Sequence, residues 1–293
     1  MTRPIAPLFV PGYSARRLEK ALELGLRAIL VDLEDSVPLG EKALARDGAA
    51  AVVEAAPGVC SVRINPLSVE GGRTTACGEA DIVSVMGPGL AGLVYPKIET
   101  AEELVRLDAV IGAAEIDAGL ALNSVRLSVT IETALGLVNA NAIARAGLKR
   151  PLSFGFGMAD FTADLGIEWT RDEDETLAAR SMLPIISRAA GLEKPGDSVF
   201  VNVEDDEGLR ASALRGKRLG YGGKAAIHPR QIPIIHDAYK PTEAEVGQAQ
   251  KILDAAAQFA AEGQGAFLLE GRMVDEPIVA RARDLLDFNA TFS

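Results

Sequence analysis

The stretch VRLSVTIE at residues 125–132, together with LSFGF at residues 152–156, decides how this chain folds. Both are short apolar runs of the kind that forms buried parallel strands. An acid follows each run: Glu132 closes the first, and Asp160 follows the second after a turn bracketed by glycines. Carboxylates at the carboxyl ends of neighbouring barrel strands point into the mouth where ligands bind. A pair of them there makes a site suited to a hard cation such as Mg²⁺.

The same pattern recurs along the chain and predicts an α/β fold, a TIM (β/α)8 barrel. Eight short apolar runs are each followed by a polar or glycine-rich turn and then by a helical pattern, as in repeated βα units. The runs are residues 7–10, 28–31, 60–64, 92–95, 125–131, 152–154, 198–201 and 224–227. Such a barrel takes about 250 residues, so a chain of 293 residues holds one barrel and a short tail. An open doubly wound sheet is the alternative, because periodicity does not reveal closure.

Helix signals separate the runs and continue beyond the last one. Acids in the first turn open a helix at residues 99–104, and residues 170–173 are expected to start another. Residues 241–245 begin a long alanine-rich helix that no barrel requires. We therefore expect a TIM-barrel catalytic domain at residues 1–239 and a C-terminal helical and flap extension at residues 240–293.

Composition and charge narrow the class of protein. A content of 48% hydrophobic and 24% charged residues indicates a globular domain with a sizeable core. The net charge of −11 argues against a nucleic-acid surface, so local arginines and lysines must draw any anionic substrate. Cys60 and Cys77 lack metal-ligand spacing, which favours reduced thiols in a cytosolic protein. Because no signal-peptide pattern and no run of ~18 apolar residues is found, we expect a cytoplasmic protein without a membrane partner.

Polar residues at the ends of the other runs should meet at the same barrel mouth. The full set is Gly12, Asp32, Glu34, Asp35, Arg63, Asn65, Lys97, Glu132, Asp160, Asn202 and His228. Acids at 32–35 either face a ligand or serve as turn and cap residues of the next helix. Arg63 is either a salt-bridge partner or a group that faces an anion, since burying it alone is costly. Glu132 and Asp160 either accept backbone hydrogen bonds or share a cation, which relieves their repulsion. His228 is either a hydrogen-bonding residue or a catalyst.

An ordered set of short motifs runs through nearly the whole chain. It consists of LFVPG at 8–12, DLEDS at 32–36, RIN at 63–65, PK at 96–97, IETA at 131–134, GMADF at 157–161, DLG at 164–166, DEGL at 206–209 and GYGGKAAIHPRQI at 220–232. In this order the motifs resemble the citrate lyase β-subunit-like branch of the HpcH/HpaI aldolase/citrate lyase family, which includes malyl-CoA and citramalyl-CoA lyases. The resemblance is highly specific for the family and much less specific for the substrate.

The resemblance implies a barrel that binds Mg²⁺ and breaks or forms a carbon–carbon bond beside a thioester, usually of coenzyme A. By motif match, Glu132 and Asp160 would be the metal ligands, and Arg63 would face the reacting oxygens. Asp35 would hold metal-bound waters. The substrate would lie against Arg63, Glu132, Gly157 and Met158.

The resemblance also extends beyond the barrel. Residues 270–277 resemble the family segment whose aspartate, here Asp275, reaches the active site of a neighbouring subunit, and the family is typically trimeric or a multiple of that. We therefore expect a homotrimer. Glycines around a short apolar stretch suggest a mobile flap at residues 263–277, although Asp275 is alternatively the cap of a helix that begins near Pro277. Asn202 stands where many relatives carry an acid.

These residue types suit cleavage of a 3-hydroxyacyl thioester. A metal held by Glu132 and Asp160 would bind the departing 2-oxo acid, and Arg63 would stabilise the thioester enolate. Asp275 is the candidate acid or base, while Lys97 should stay protonated among so many acids and form no imine. We therefore expect a Mg²⁺-dependent lyase acting on a malyl-, citramalyl- or citryl-CoA type thioester. The alternatives are a thioesterase on the same substrates, a citrate lyase β subunit that needs an acyl carrier partner, and an aldolase acting on free 4-hydroxy-2-oxo acids.

Overall fold

The computed structural model describes residues 4–67, 77–261 and 265–292, and within them the chain forms an eight-stranded parallel sheet in sequential order. The strands are β1 (Leu8–Pro11), β2 (Ile29–Asp32), β3 (Cys60–Arg63), β4 (Gly92–Tyr95), β5 (Leu127–Ile131), β6 (Leu152–Phe156), β7 (Gly196–Asp197) and β8 (Gly223–Lys224). The sheet closes on itself just past β8. There, the Phe9 amide donates to the Ala226 carbonyl at 2.8 Å, and the Ala226 amide donates to the Pro7 carbonyl at 2.9 Å. The predicted TIM barrel is confirmed, and the open sheet is excluded.

Helices follow the strands in the βα rhythm that the sequence predicts. They are α1 (Ala15–Glu23), α2 (Lys42–Ala55), α3 (Gly78–Val85), α4 (Ala101–Asp117), α5 (Ala134–Ala144), α6 (Met158–Leu165), α7 (Leu177–Ala189), α8 (Asp206–Leu219) and α9 (Gln231–Tyr239). Thr100 caps α4 by accepting a hydrogen bond from the Glu103 amide at 3.1 Å, as the acid-rich helix start at residues 99–104 predicts.

Alternation along β5 places the first acid of the site. Leu127 and Ile131 are buried on the outer face of the strand, while Ser128 and Thr130 line a cavity inside the barrel. Because side chains alternate, Glu132 continues the inner row and lines the same cavity.

The seventh strand is not the apolar run 198–201 but the preceding pair Gly196–Asp197. Gly196 aligns with Gly155 of β6. Asp197 is buried and accepts from Arg180 at 2.7 Å and Lys224 at 3.3 Å. A strand made of a glycine and an ion-paired acid has no apolar signature, and that is why the sequence pattern misplaces it.

The helix predicted from residues 170–173 begins later, at Leu177. Glu173 has a φ of 56°, in the left-handed region, so it interrupts a helix at this point. Its buried carboxylate accepts from Arg180 at 2.6 Å and from Ser212 at 2.8 Å, which holds the turn in place.

Two expectations from composition concern the thiols and the membrane. Cys60 and Cys77 are free, and burial raises the pKa of Cys60 to about 12, which makes its thiol unreactive. In the described parts of the chain, no helix combines the length and the apolar character needed to cross a membrane.

The chain divides into two compact units, Met1–Ala238 and Tyr239–Ser293. The second unit contains α10 (Glu243–Ala261), a hairpin of β9 (Phe267–Leu269) and β10 (Arg272–Val274), and α11 (Glu276–Ala290). The predicted alanine-rich helix is confirmed as α10. It opens with a reciprocal cap, in which the Glu245 amide donates to Thr242 at 3.2 Å and the Thr242 amide donates to Glu245 at 2.8 Å.

The segment predicted as a flap is a β-hairpin over residues 267–274, while Gly263 lies outside the described residues. Phe267 and Val274 share an apolar cluster with Val279, and the Phe267 ring stacks on Phe259 at 4.5 Å between centroids. Asp275 precedes α11 at the cap position, but its side chain makes no capping hydrogen bond. Whether the segment moves as a flap stays a prediction.

Candidate active site at the carboxyl ends of the strands

A bidentate ion pair joins the last residues of β2 and β3. Asp32 and Arg63 are register partners, and Arg63 donates from Nε to Oδ1 at 2.6 Å and from Nη2 to Oδ2 at 2.8 Å. Arg63 Nη1 also contacts Glu34 Oε2 at 3.1 Å. Burial opposes the charge on Asp32, but Arg63 outweighs it and lowers the pKa of Asp32 to about 2. Arg63 is therefore a salt-bridge partner, and the arginine also lines the barrel cavity.

Asp32 has a second task, which is to shape the loop that follows it. Its two carboxylate oxygens accept the amides of Glu34 at 3.0 Å and Ser36 at 3.1 Å. The turn interpretation of Asp32 is thus correct. Glu34 also accepts the Asp35 amide at 3.0 Å, but the carboxylates of both Glu34 and Asp35 face a lysine across the barrel mouth as well.

Lys97 connects the acids of the mouth. Its Nζ donates to Glu34 at 2.6 Å and Asp35 at 2.7 Å, and it lies 3.4 Å from Asp160 Oδ1. Its backbone amide donates to Glu132 Oε1 at 2.8 Å. Burial opposes the charge on Lys97, but Asp35 and Glu34 overcome it and raise its pKa. The ammonium group therefore stays protonated, as the sequence predicts, and Lys97 is a poor imine former.

The backbone of Lys97 is itself unusual. Its φ is 49°, in the left-handed region that non-glycine residues rarely occupy, at a cost of about 1 kcal/mol or more. Strain of this kind persists where surrounding contacts fix the conformation, and Lys97 has contacts through both its amide and its ammonium group. The sequence places Lys97 at a strand end but gives no sign of this central position.

Glu132 and Asp160 form the acidic pair at the centre of the mouth. Glu132 is 3% exposed, and Asp160 lies in the first turn of α6. Burial, followed by the charge of Asp160, raises the pKa of Glu132 to about 8. A divalent cation at this pair would offset both effects. Gly157 lets the backbone before α6 lie close to the Glu132 carboxylate, because a Cβ at position 157 would be only 2.0 Å from Glu132 Oε2.

The donor set fits Mg²⁺. Among the described residues, no group of three or more metal-binding side chains occurs. Glu132 and Asp160 together offer two carboxylates. That is how Mg²⁺ is usually held, through one or two carboxylates with several retained waters. Asp160 is about one-third exposed, which leaves its carboxylate open to solvent and ligand.

A cavity of about 150 Å³ brings the predicted residues together. Its lining includes Phe9, Arg63, Glu132, Gly157, Met158 and Asp160. The Arg63 guanidinium lies over the Phe9 ring at 5.1 Å, which restricts its movement. The volume is well below the roughly 300–1,000 Å³ of sites for drug-sized ligands, and it suits a small acid.

Several of the predicted mouth residues do not line this cavity, among them Asp35, Asn202 and His228. Asp35 is more than half exposed, and its carboxylate contacts Lys97 at 2.7 Å. The Asn202 side chain accepts the Glu204 amide at 3.2 Å, and His228 Nδ1 accepts the Arg230 amide at 3.2 Å, so both act as hydrogen-bonding turn residues. Asp275 belongs to the second compact unit.

A second, larger cavity of about 640 Å³ lies between β1, α1 and the residues just past β8. Three cationic residues of the first helix, Arg16, Arg17 and Lys20, line it. Phe9 contributes to the walls of both cavities. This cluster was not among the residues predicted from the sequence. In the sequence, the cluster is visible only as three closely spaced cations on α1. Their proximity to His228 follows from barrel closure.

Comparison with known proteins assigns this geometry to a class, the TIM-barrel lyases. The model of the family HpcH/HpaI aldolase/citrate lyase matches residues 6–229. Citrate lyase subunit beta of Haemophilus influenzae is 35% identical over 283 residues, covering 96% of this chain and 94% of that protein. L-malyl-CoA/beta-methylmalyl-CoA lyase of Rhodobacter capsulatus is 32% identical over 314 residues, covering 96% and 95%.

Solved structures agree with the sequence relatives. Protein CitE from Mycobacterium tuberculosis, in complex with magnesium, acetoacetate and coenzyme A, has a TM-score of 0.76 at 27% identity and covers 98% of each chain. A citrate lyase from Burkholderia xenovorans has a TM-score of 0.83 at 22% identity, covers 100% of this chain and 93% of its own, and shows the shared fold. The chain belongs to the HpcH/HpaI aldolase/citrate lyase family. The predicted family and the predicted lyase class are confirmed.

Proposed function

We propose that this protein is a Mg²⁺-dependent carbon–carbon lyase that cleaves or forms a 3-hydroxyacyl-CoA thioester of the malyl, citramalyl or citryl type. The products of cleavage are a 2-oxo acid and an acyl-CoA. One observation carries the proposal: the buried Glu132 and the partly exposed Asp160 lie beside a fixed Arg63 in a cavity sized for a small acid. The cation-lined second cavity supports a nucleotide-bearing thioester, and the names of the relatives support the reaction class.

Glu132 and Asp160 would hold the metal. When bound, Mg²⁺ would polarise the oxygens of the 2-oxo acid and neutralise their charge. Lys97 fixes Glu132 through its amide, and its ammonium group compensates the surplus of acids around the site. The protein thus prepares the ligand geometry before the metal arrives, which lowers the cost of ordering the site.

Arg63 would stabilise the enolate that remains when the carbon–carbon bond breaks. Its orientation is set by Asp32 and Glu34 on one side and by the Phe9 ring beneath it. A donor held in advance in a site shielded from water stabilises developing charge without reorganisation. Stabilisation of this kind usually accelerates a reaction more than any other single effect in an active site.

The second cavity would take the phosphates of coenzyme A. Arg16, Arg17 and Lys20 provide positive charge there, although the chain as a whole carries a net charge of −11. Because Phe9 borders both cavities, a thioester could run from the cationic cavity to the acidic pair.

Proton transfer and assembly complete the proposal. We assign the acid or base role to Asp275, whose side chain is not engaged as a helix cap. By resemblance it would act on the site of a neighbouring subunit in a homotrimer, and Asp35 would hold metal-bound waters. We place the protein in the cytoplasm, in agreement with its free thiols.

A second candidate is the β subunit of a citrate lyase complex, which the relative from Haemophilus influenzae favours. Purified protein, incubated alone with Mg²⁺ and free malyl-, citramalyl- or citryl-CoA, separates the possibilities by product analysis. A 2-oxo acid and an acyl-CoA in equal amounts support the lyase. Activity that appears only with an acyl carrier protein supports the complex subunit. Free CoA with an intact hydroxy acid identifies a thioesterase and refutes the lyase.

A further inference from the structure

Lys42, the first residue of α2, is a buried cation without a carboxylate partner. It is 8% exposed, and no salt bridge to it occurs among the described residues. Its Nζ donates to the backbone carbonyls of Leu33 at 2.6 Å and Glu34 at 2.7 Å, and to Asn65 Oδ1 at 2.8 Å. All three protons therefore reach neutral oxygens. Burying an ammonium group without a counter-ion costs desolvation free energy, so a contribution to stability alone does not explain why Lys42 is buried here.

The two carbonyls belong to the loop that carries the acids of the mouth. Glu34 projects from this loop, is 5% exposed, and contacts Lys97 at 2.6 Å and Arg63 at 3.1 Å. Lys42 thus fixes the backbone of Glu34, whose carboxylate accepts from both Lys97 and Arg63. If this backbone moved, Arg63 would lose one of the acids that orient it.

Asn65 extends the arrangement to the next strand end. Its Nδ2 donates to the Leu33 carbonyl at 2.8 Å and to Asp81 Oδ2 at 2.6 Å, and its amide donates to Asp81 at 2.8 Å. Lys42 and Asn65 therefore connect the loop after β2 to the chain just after Arg63. These hydrogen bonds fix the ends of β2 and β3, which carry the Asp32–Arg63 pair, relative to each other.

We propose that Lys42 is a positioning residue of the active site: its ammonium group fixes the Leu33 and Glu34 carbonyls, and through them the Glu34 carboxylate that orients Arg63 and Lys97. The role in turnover rests on the proposed function, because it matters through Arg63 as the cation that stabilises the enolate. The fixed loop itself is independent of the reaction.

The test compares Lys42→Met with a matched buried cation, Arg150. Arg150 lies at the amino ends of β5 and β6, where it contacts Glu115 at 3.1 Å and the Val125 carbonyl at 3.0 Å. Lys42→Met removes the three donors while keeping an unbranched apolar chain. We expect kcat to fall on the order of 10²-fold, with a smaller change in KM, because misplacing a catalytic group by about 1 Å costs that much. Mg²⁺ affinity, measured by calorimetry, should change by less than about threefold, since Glu132 and Asp160 are untouched.

Amide hydrogen exchange supplies a readout that needs no substrate. The amides of Glu34, Asp35 and Ser36 bond to carboxylates within the loop, and in Lys42→Met they should exchange at least about tenfold faster. Arg150→Lys should lower Tm without changing kcat or this exchange. Lys42→Arg keeps the charge but presents a planar fork to three separate oxygens, so it should show the same exchange and kcat defects, and it serves if Lys42→Met does not fold.

The outcomes separate the two proposals. Unchanged loop exchange in both Lys42 variants, or a loss of kcat that simply follows Tm in the Lys42 and Arg150 variants alike, overturns the positioning role. An inactive wild type with the expected exchange pattern refutes the proposed reaction while supporting the fixed loop.

Discussion

Replacing Glu132 with Gln tests the metal site through stability as well as activity. Glutamine keeps the size of the side chain and an oxygen that can accept the Lys97 amide, which now lies 2.8 Å from Oε1. It removes the ionisable oxygen, and with it a charged metal ligand. The substitution should abolish turnover, because Mg²⁺ has few protein ligands here. It should also stabilise the protein in chelator, which is the opposite of what a core substitution usually does.

The size of that stabilisation follows from the pKa of Glu132. Burial raises this pKa from 4.5 to about 8, so folding favours the protonated form. Above pH 4.5, ionisation in the unfolded chain therefore destabilises the folded state progressively, and the penalty levels off once the pH passes 8. At about 1.36 kcal/mol per pH unit, it reaches about 3 kcal/mol at pH 7. In chelator, the variant should be more stable than wild type by up to that amount, and the difference should vanish below pH 4.5.

Urea unfolding from about pH 4 to about pH 9, with chelator and with Mg²⁺, measures both effects. At a Mg²⁺ concentration about 100 times its Kd, wild type should gain about 2.7 kcal/mol and Glu132→Gln should gain little. Exposed Glu23 provides a control, because Glu23→Gln should change neither the pH dependence nor the response to Mg²⁺. Equal protection of Glu132→Gln and wild type by Mg²⁺, or a pH-independent difference between them, would refute this account of the pair.

Three further predictions address the other parts of the site. Arg63→Lys keeps the charge but loses the bidentate fork to Asp32, so kcat should fall on the order of 10²-fold; a rise confined to KM would make Arg63 a substrate anchor. Arg17→Ala should raise KM for the CoA thioester and leave kcat within about threefold, and the effect should shrink in assays with a pantetheine thioester that lacks the nucleotide. Mixed oligomers of Asp275→Asn and Glu132→Gln chains, each inactive alone, should regain partial activity if the two residues meet between subunits; verified mixed oligomers without activity would exclude a shared site.

The acidic pair could be predicted because it depends on local pattern and general geometry. An apolar strand followed by an acid occurs at both Glu132 and Asp160, and parallel strands deliver such residues to one end of a barrel. The same reasoning fails at β7, where Gly196 and Asp197 carry no apolar signal and the neighbouring run 198–201 does. Hydrophobic pattern locates strands that pack by apolar contact, not a strand whose buried residue is held by ion pairs.

Contacts between distant segments account for the other residues that sequence reasoning missed. The central position of Lys97 depends on a left-handed backbone and on acids that precede it by more than 60 positions. Lys42 looks like an ordinary cation at a helix start until its two carbonyl partners are known. The cationic cavity appears only once β8 closes against β1 and brings His228 beside α1.

The pairing of Asp32 with Arg63 has a consequence for how this enzyme could change its substrate. Both residues end strands of the barrel and are register partners, so the arginine takes its orientation from the barrel wall. Loops beyond the other strand ends can then vary in length and composition without displacing it, whereas the loop after β2 carries Glu34, which also orients the arginine. In such a barrel, the catalytic residues lie at the strand ends, and the loops beyond them form the surface that selects the acyl group. New specificities should therefore be reachable by exchanging loops, while an exchange of β2 or β3 would have to preserve both partners together.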